Sequence, residues 1–156
     1  IRNHYVGRTF IQPTQSMRDF SVRVKLNPVR ALLKGKRVII VEDSIISGTT
    51  GRSRVQSLRH VGAAEVHMVV SCPPTRNACY YGIDFPSSSQ LIAADNTVEG
   101  VRDYLGLDSL HYLSVEGLVE ATGLSRDNFC LACFNGEYPI EPDKSFTKDA
   151  FSGCGC

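Results

Sequence analysis

The stretch that most constrains this chain is Arg37-Val38-Ile39-Ile40-Val41-Glu42-Asp43-Ser44-Ile45-Ile46-Ser47-Gly48-Thr49-Thr50. Four β-branched aliphatics in a row, after a Gly-Lys-Arg turn, predict a strand buried on both faces of a parallel sheet, where hydrophobic runs replace alternation. Glu42 and Asp43 stand where that strand would end, and open α/β sheets bind ligands outside the carboxyl ends of their strands. Ser44, Ser47, Gly48, Thr49 and Thr50 then supply hydroxyls, small side chains and closely approachable backbone N–H groups. Together they predict a site for a phosphorylated sugar, with acids for ribose hydroxyls or a magnesium ion and a loop for the phosphate. Taken alone, an acid pair before small residues would also cap the helix of an ordinary α/β crossover.

The residues that follow read as such a crossover. Residues 52–60 carry Val55 and Leu58 at helical spacing and Gly62 stops the helix, which begins at the loop, so its first N–H groups and its dipole would face the phosphate. Residues 64–71 predict a second strand, parallel to the first through a right-handed connection, ended by Pro73 and Pro74. A short helix is predicted from Pro28 to Leu33. Others are predicted over 87–94 and 97–105, the latter amphipathic through Val98, Val101 and Leu105. Leu110 to Leu113 is a weak strand, and Ser114 caps a helix running to Ala121. From Gly123 onward the chain is turn-rich and reads as irregular. Residues 1–20 fit neither regular period and read as a mobile loop. The fold class is α/β with a parallel sheet.

At 156 residues and a formal net charge of +1, the chain has one domain's length and no basic stripe to hold a polyanion, so nucleic acid is not expected as a partner. No apolar run reaches membrane-spanning length and no secretory segment opens the chain, so a cytoplasmic location is expected. Six cysteines in that setting argue against a disulfide framework and for metal or cluster ligation. Cys130 and Cys133 have the spacing with which two thiolates grip one metal centre, either zinc or an iron–sulfur cluster. Cys72, at a strand end, reads as a packing residue, and Cys154 and Cys156 belong to a Gly-rich tail.

Residues 38–50 resemble the 5-phosphoribosyl-1-diphosphate (PRPP) signature of type I phosphoribosyltransferases. The blocks around them resemble the amidophosphoribosyltransferase family: Asn3-His4-Tyr5-Val6-Gly7-Arg8-Thr9-Phe10-Ile11-Gln12-Pro13 upstream, and Tyr80-Tyr81-Gly82-Ile83-Asp84 with Cys130-Leu131-Ala132-Cys133-Phe134-Asn135-Gly136-Glu137-Tyr138-Pro139 downstream. The resemblance runs from about Arg2 to about Pro139. It implies a Rossmann-like phosphoribosyltransferase domain, incomplete on its N-terminal side, over residues 1–122. Residues 123–141 would be a cysteine-ligand segment and 142–156 a tail. A sheet lacking early strands would expose an edge and apolar faces.

The resemblance also implies a reaction: PRPP, glutamine and water give 5-phosphoribosylamine, glutamate and pyrophosphate, the first committed step of purine synthesis. Glu42 and Asp43 would face the ribose hydroxyls and magnesium, Ser44 to Thr50 would wrap the 5′-phosphate, and Arg2, Tyr5 and Arg8 would lie in a lid over the site. Cys79, Cys130 and Cys133 would be three ligands of a [4Fe-4S] cluster, with the fourth ligand, the pyrophosphate loop and the ammonia-supplying glutaminase domain upstream of Ile1. Purine nucleotides would act as feedback inhibitors, and the assembly would be a homo-oligomer. Two positions depart from the family pattern: Glu42 stands for an aspartate and Ser47 for the loop arginine. The missing cation would weaken PRPP binding unless another basic residue substitutes, and it leaves open a second reading as a non-catalytic PRPP- or nucleotide-binding module.

Overall fold

The computed structural model describes residues 28–83 and 90–142. The lid residues Arg2, Tyr5 and Arg8 and the tail cysteines Cys154 and Cys156 lie outside the described residues. After a short helix α1 (Arg30–Leu33), the chain forms strand β1 (Arg37–Glu42), helix α2 (Thr49–His60) and strand β2 (Glu65–Val70). Helices α3 (Ile92–Asp95) and α4 (Val98–Leu105) then lead to strand β3 (Ser109–Tyr112) and helix α5 (Val115–Glu120). A 3-10 turn (Arg126–Asn128) and helix α6 (Ala132–Asn135) put regular structure where the sequence predicted none.

The three strands are parallel in the order β1-β2-β3, with Val38 opposite Val66 and Met68 opposite Leu110. Each cap has a local cause. Thr97 Oγ1 accepts from Gly100 N (3.1 Å) to open α4, and Ser114 Oγ accepts from Gly117 N (2.9 Å) to open α5, satisfying N–H groups that a first turn leaves unpaired. A left-handed Gly48 precedes α2, and the helix starts three residues earlier than its apolar periodicity indicates.

Period-two alternation splits the sheet into two unequal faces. Val66, Met68 and Val70 are fully buried on one face with Val55 of α2, Val101 and Leu105 of α4, and Leu110 of β3, and Val38 and Ile40 pack against them. On the opposite face Ile39 is 65% exposed and Val41 73% exposed. The expectation that β1 is buried on both faces is therefore corrected: among the described residues, helices cover only the face to which even-numbered residues of β1 turn. Among the described residues the strand is also at the sheet's edge.

Candidate functional site

The carboxyl ends of β1 and β2 are tied where the acid pair begins, since Ser71 donates to the Glu42 carbonyl from both N (2.9 Å) and Oγ (3.3 Å). Alternation turns Glu42, like Val38 and Ile40, toward the helix-covered face. There Arg54 of α2 meets it, Nη1 forming an ion pair with Oε1, and the two side chains are only 27% and 21% exposed. Glu42 Oε1 and Arg54 Nε are both buried without a hydrogen-bond partner among the described residues, so the charge on Oε1 is met by the ion pair with the guanidinium alone. Burial lowers the Arg54 pKa from its ordinary value, but a guanidinium has so much to spare that it stays charged at neutral pH.

Asp43, one residue on, is exposed. Its Oδ1 accepts from Ser44 N (2.6 Å) and Ser44 Oγ (3.3 Å), which fixes the carboxylate's direction at the loop's first turn. Buried Ile45 anchors the loop in the core, and Ile92 N donates to the Ile46 carbonyl (2.9 Å), joining the loop to α3. Ser47 and Thr49 share a hydroxyl hydrogen bond of 3.2 Å. Gly48 has φ +73°, and a Cβ there would lie 2.9 Å from Ile92 Cδ1 and 3.1 Å from Tyr104 Cε1. Two separate constraints thus demand glycine, left-handed backbone and the close approach of two side chains. Thr49 and Thr50 form the first turn of α2, so their N–H groups are among the helix's unpaired donors.

Thus Glu42, Asp43, Ser44, Ser47, Gly48, Thr49 and Thr50 fall on one continuous turn at the carboxyl edge of the sheet. The sequence reading missed Arg54, yet a signal was present. Helix α2 has no acid in its first turn but carries Arg52 and Arg54 in its first half, the wrong sign for a helix dipole and the right one for an anion site. The two arginines differ in use: Arg52 stacks 4.8 Å over the Tyr104 ring and, with Arg59 and Asp103, lines a hollow of about 510 Å³ between α2 and α4, away from the acid pair.

The cysteine segments are zipped together. Arg76 N and Asn77 N both donate to the Cys133 carbonyl (2.9 and 3.0 Å), Tyr138 Oη donates to the Ala78 carbonyl (2.6 Å), and the Tyr80 and Tyr138 rings meet edge to face at 5.4 Å. Cys79 and Cys133 are half-buried and Cys130 is exposed, and all three thiols are free. Burial pushes the Cys133 thiol up, and the neighbouring Cys79 and Cys130 add to the rise. These cysteines share one region but not one point: among the described residues no group of three or more His, Cys, Asp or Glu side chains is disposed to hold a metal ion. Cys72 packs against the core, where burial raises its thiol to about 11.

The sequence profile of the phosphoribosyl transferase domain matches residues 5–102. The chain belongs to that family. Within the phosphoribosyl transferase family it is similar to one portion of the amidophosphoribosyltransferases. It is 56% identical over 140 residues to the enzyme of Synechococcus elongatus, covering 90% of this chain and 28% of that one. It is 52% identical over 148 residues to amidophosphoribosyltransferase 2, chloroplastic, of Arabidopsis thaliana, covering 95% and 26%. A solved structure of the glutamine PRPP amidotransferase from B. subtilis, complexed with ADP and GMP, superposes with a TM-score of 0.75 at 50% identity, covering 90% of this chain and 32% of that one. The chain thus spans about a quarter to a third of the length of these relatives. No helix among the described residues is long and apolar enough to cross a membrane.

Proposed function

We propose that this chain supplies the PRPP-binding portion of an amidophosphoribosyltransferase, in which ammonia derived from glutamine displaces pyrophosphate from PRPP to give 5-phosphoribosylamine. The observation that carries the reading is the turn from Glu42 to Thr50, an acid pair running into a loop of hydroxyls and unpaired amides at the carboxyl edge of a parallel sheet. Transfer of this kind passes through an electron-poor sugar carbon, so a site gains most by holding the ribose rigidly and by favouring the charge of the leaving group. Asp43 addresses the ribose hydroxyls through the carboxylate that Ser44 orients. Ser44, Ser47, Thr49, Thr50 and the first amides of α2 hold the 5′-phosphate, while Gly48 lets the backbone come close.

The donor chemistry fits magnesium: two carboxylates without an imidazole suit a hard cation that keeps some of its water. When bound, the ion would offset charge on pyrophosphate; exposed Asp43 is the residue that would face it, and Glu42, engaged with Arg54, would stand behind it. Cys79, Cys130 and Cys133 are assigned to a [4Fe-4S] cluster acting as a structural clamp. The zipped segments, which bring the three into one region, support the assignment, and a cluster would have to draw them onto one point and take a further thiolate. Tyr5 and Arg8 are assigned to the lid, and the free thiols suit a reducing, cytoplasmic setting. Purine nucleotides are proposed as inhibitors of a homo-oligomeric enzyme, by extension from the relative bound to ADP and GMP.

Ser47, which brings no charge to the loop, favours one other reading, a module that binds PRPP without consuming it. Calorimetric titration of the chain with PRPP and Mg²⁺ tests the binding claim. One saturable site is expected, weakened about tenfold or more in Asp43→Asn, as for loss of a charged hydrogen-bonding group. No binding by the wild type would remove the PRPP reading. Release of pyrophosphate when ammonia is added to the full-length protein separates enzyme from binding module.

A further inference from the structure

The acid pair sets an electrostatic problem for the ligand assigned to it. PRPP is a polyanion, and two adjacent bare carboxylates would repel its phosphates and each other. Ser47 offers no charge, and its hydroxyl is engaged with Thr49 Oγ1 at 3.2 Å. Arg52 lies on the same end of α2 but is stacked on Tyr104. Among the described residues, the guanidinium that reaches the pair is that of Arg54, seated on Glu42 Oε1 with both side chains mostly buried. A guanidinium this far out of water needs a partner for its charge, and Glu42 is that partner.

We propose that Arg54 is the cation of this site, a positioning residue that pins Glu42 through Oε1 and cancels its charge, so that the incoming polyanion meets one net negative charge from the pair and not two. The proposal rests on the PRPP reading of the loop. It gives Arg54, on the helix, the electrostatic duty that Ser47 cannot perform from the loop. It also explains why Asp43, rather than Glu42, is the exposed acid.

PRPP affinity of the 156-residue chain, measured at saturating and at limiting Mg²⁺ with melting temperatures alongside, tests this in four variants. Arg54→Met should weaken PRPP about tenfold or more, with the larger loss at limiting Mg²⁺, because the metal then has to offset a second carboxylate. Arg54→Lys should recover most of the affinity. Glu42→Gln/Arg54→Met should bind PRPP more tightly than Arg54→Met, since it removes the uncompensated charge. Arg54→Gln keeps a donor to Glu42 without the charge, and it carries the comparison if Arg54→Met does not fold. A variant of Arg54 with lowered melting temperature but wild-type PRPP affinity and Mg²⁺ dependence would make the pair purely structural and overturn the proposal. A wild-type chain that binds no PRPP would overturn the PRPP reading and the proposal with it, and that failure is distinct because it appears before any substitution.

Discussion

Gly48 shows how much of this site hangs on single atoms. Its backbone is left-handed, and the space a methyl group would take is already held by Ile92 and Tyr104. Gly48→Ala should therefore cost at least about 1–2 kcal/mol from the left-handed backbone alone. Displacement of Ile92 should also loosen the loop it meets at the Ile46 carbonyl. Urea denaturation checks this, and an unchanged midpoint would mean that the loop shifts freely. The glycine itself was legible in the sequence as part of the loop that enters α2. Its two neighbours were not, because Ile92 and Tyr104 come from α3 and α4, and nothing local links them to residue 48. Arg54 was hidden for a similar reason: its partner is on β1, and only the inverted charge at the start of α2 betrayed it.

At the scale of elements, one carboxylate and the arginine paired with it join three parts of the fold. Asp108 Oδ2 accepts from Val66 N (2.6 Å) and from Arg59 Nη2 (2.7 Å), and Arg59 donates also to the carbonyls of Ala64 and Gly106 (3.2 Å each). The end of α2, the start of β2 and the turn from α4 into β3 are thereby held together. The Val66 N–H, and after it Arg59, lower the Asp108 pKa from its ordinary value. A carboxyl whose folded pKa is depressed adds stability that is present above the unfolded pKa, about 3.9 for aspartate, and lost as pH falls through the folded value. The excess melting temperature of the wild type over Asp108→Asn should thus be steady from neutral pH down to about pH 5 and shrink below about pH 4. A gap that persists at the lowest pH would assign the staple's strength to something other than the ionised carboxylate.

The elements themselves were largely readable, because strand runs, Gly62, Thr97 and Ser114 are local signals with local causes. What misled was β1, whose unbroken aliphatic run reads the same whether one face is covered or two. Only the placement of α2 and α4 on a single face, a tertiary fact, leaves Ile39 and Val41 exposed. Helix α6 was also missed, since four residues around Cys133 are too few to show a period.

For the molecule as a whole, the sheet, the loop and the cysteine segment form a chain about half identical to the amidophosphoribosyltransferases over nearly all of its own length and about a third or less of theirs. Its chemistry is concentrated at one edge: acids at the end of β1, hydroxyls and amides entering α2, and a half-buried guanidinium paired with the first acid. The cysteines sit on the segments that follow β2 and α5, so a cluster there would brace the chain without touching the sugar. The most direct test of the phosphoribosyl site is a backbone amide NMR titration of the chain with PRPP and Mg²⁺. Saturating shifts centred on residues 43–50 are the predicted result, and shifts absent from that turn, or centred on the hollow lined by Arg59 and Asp103, would contradict it.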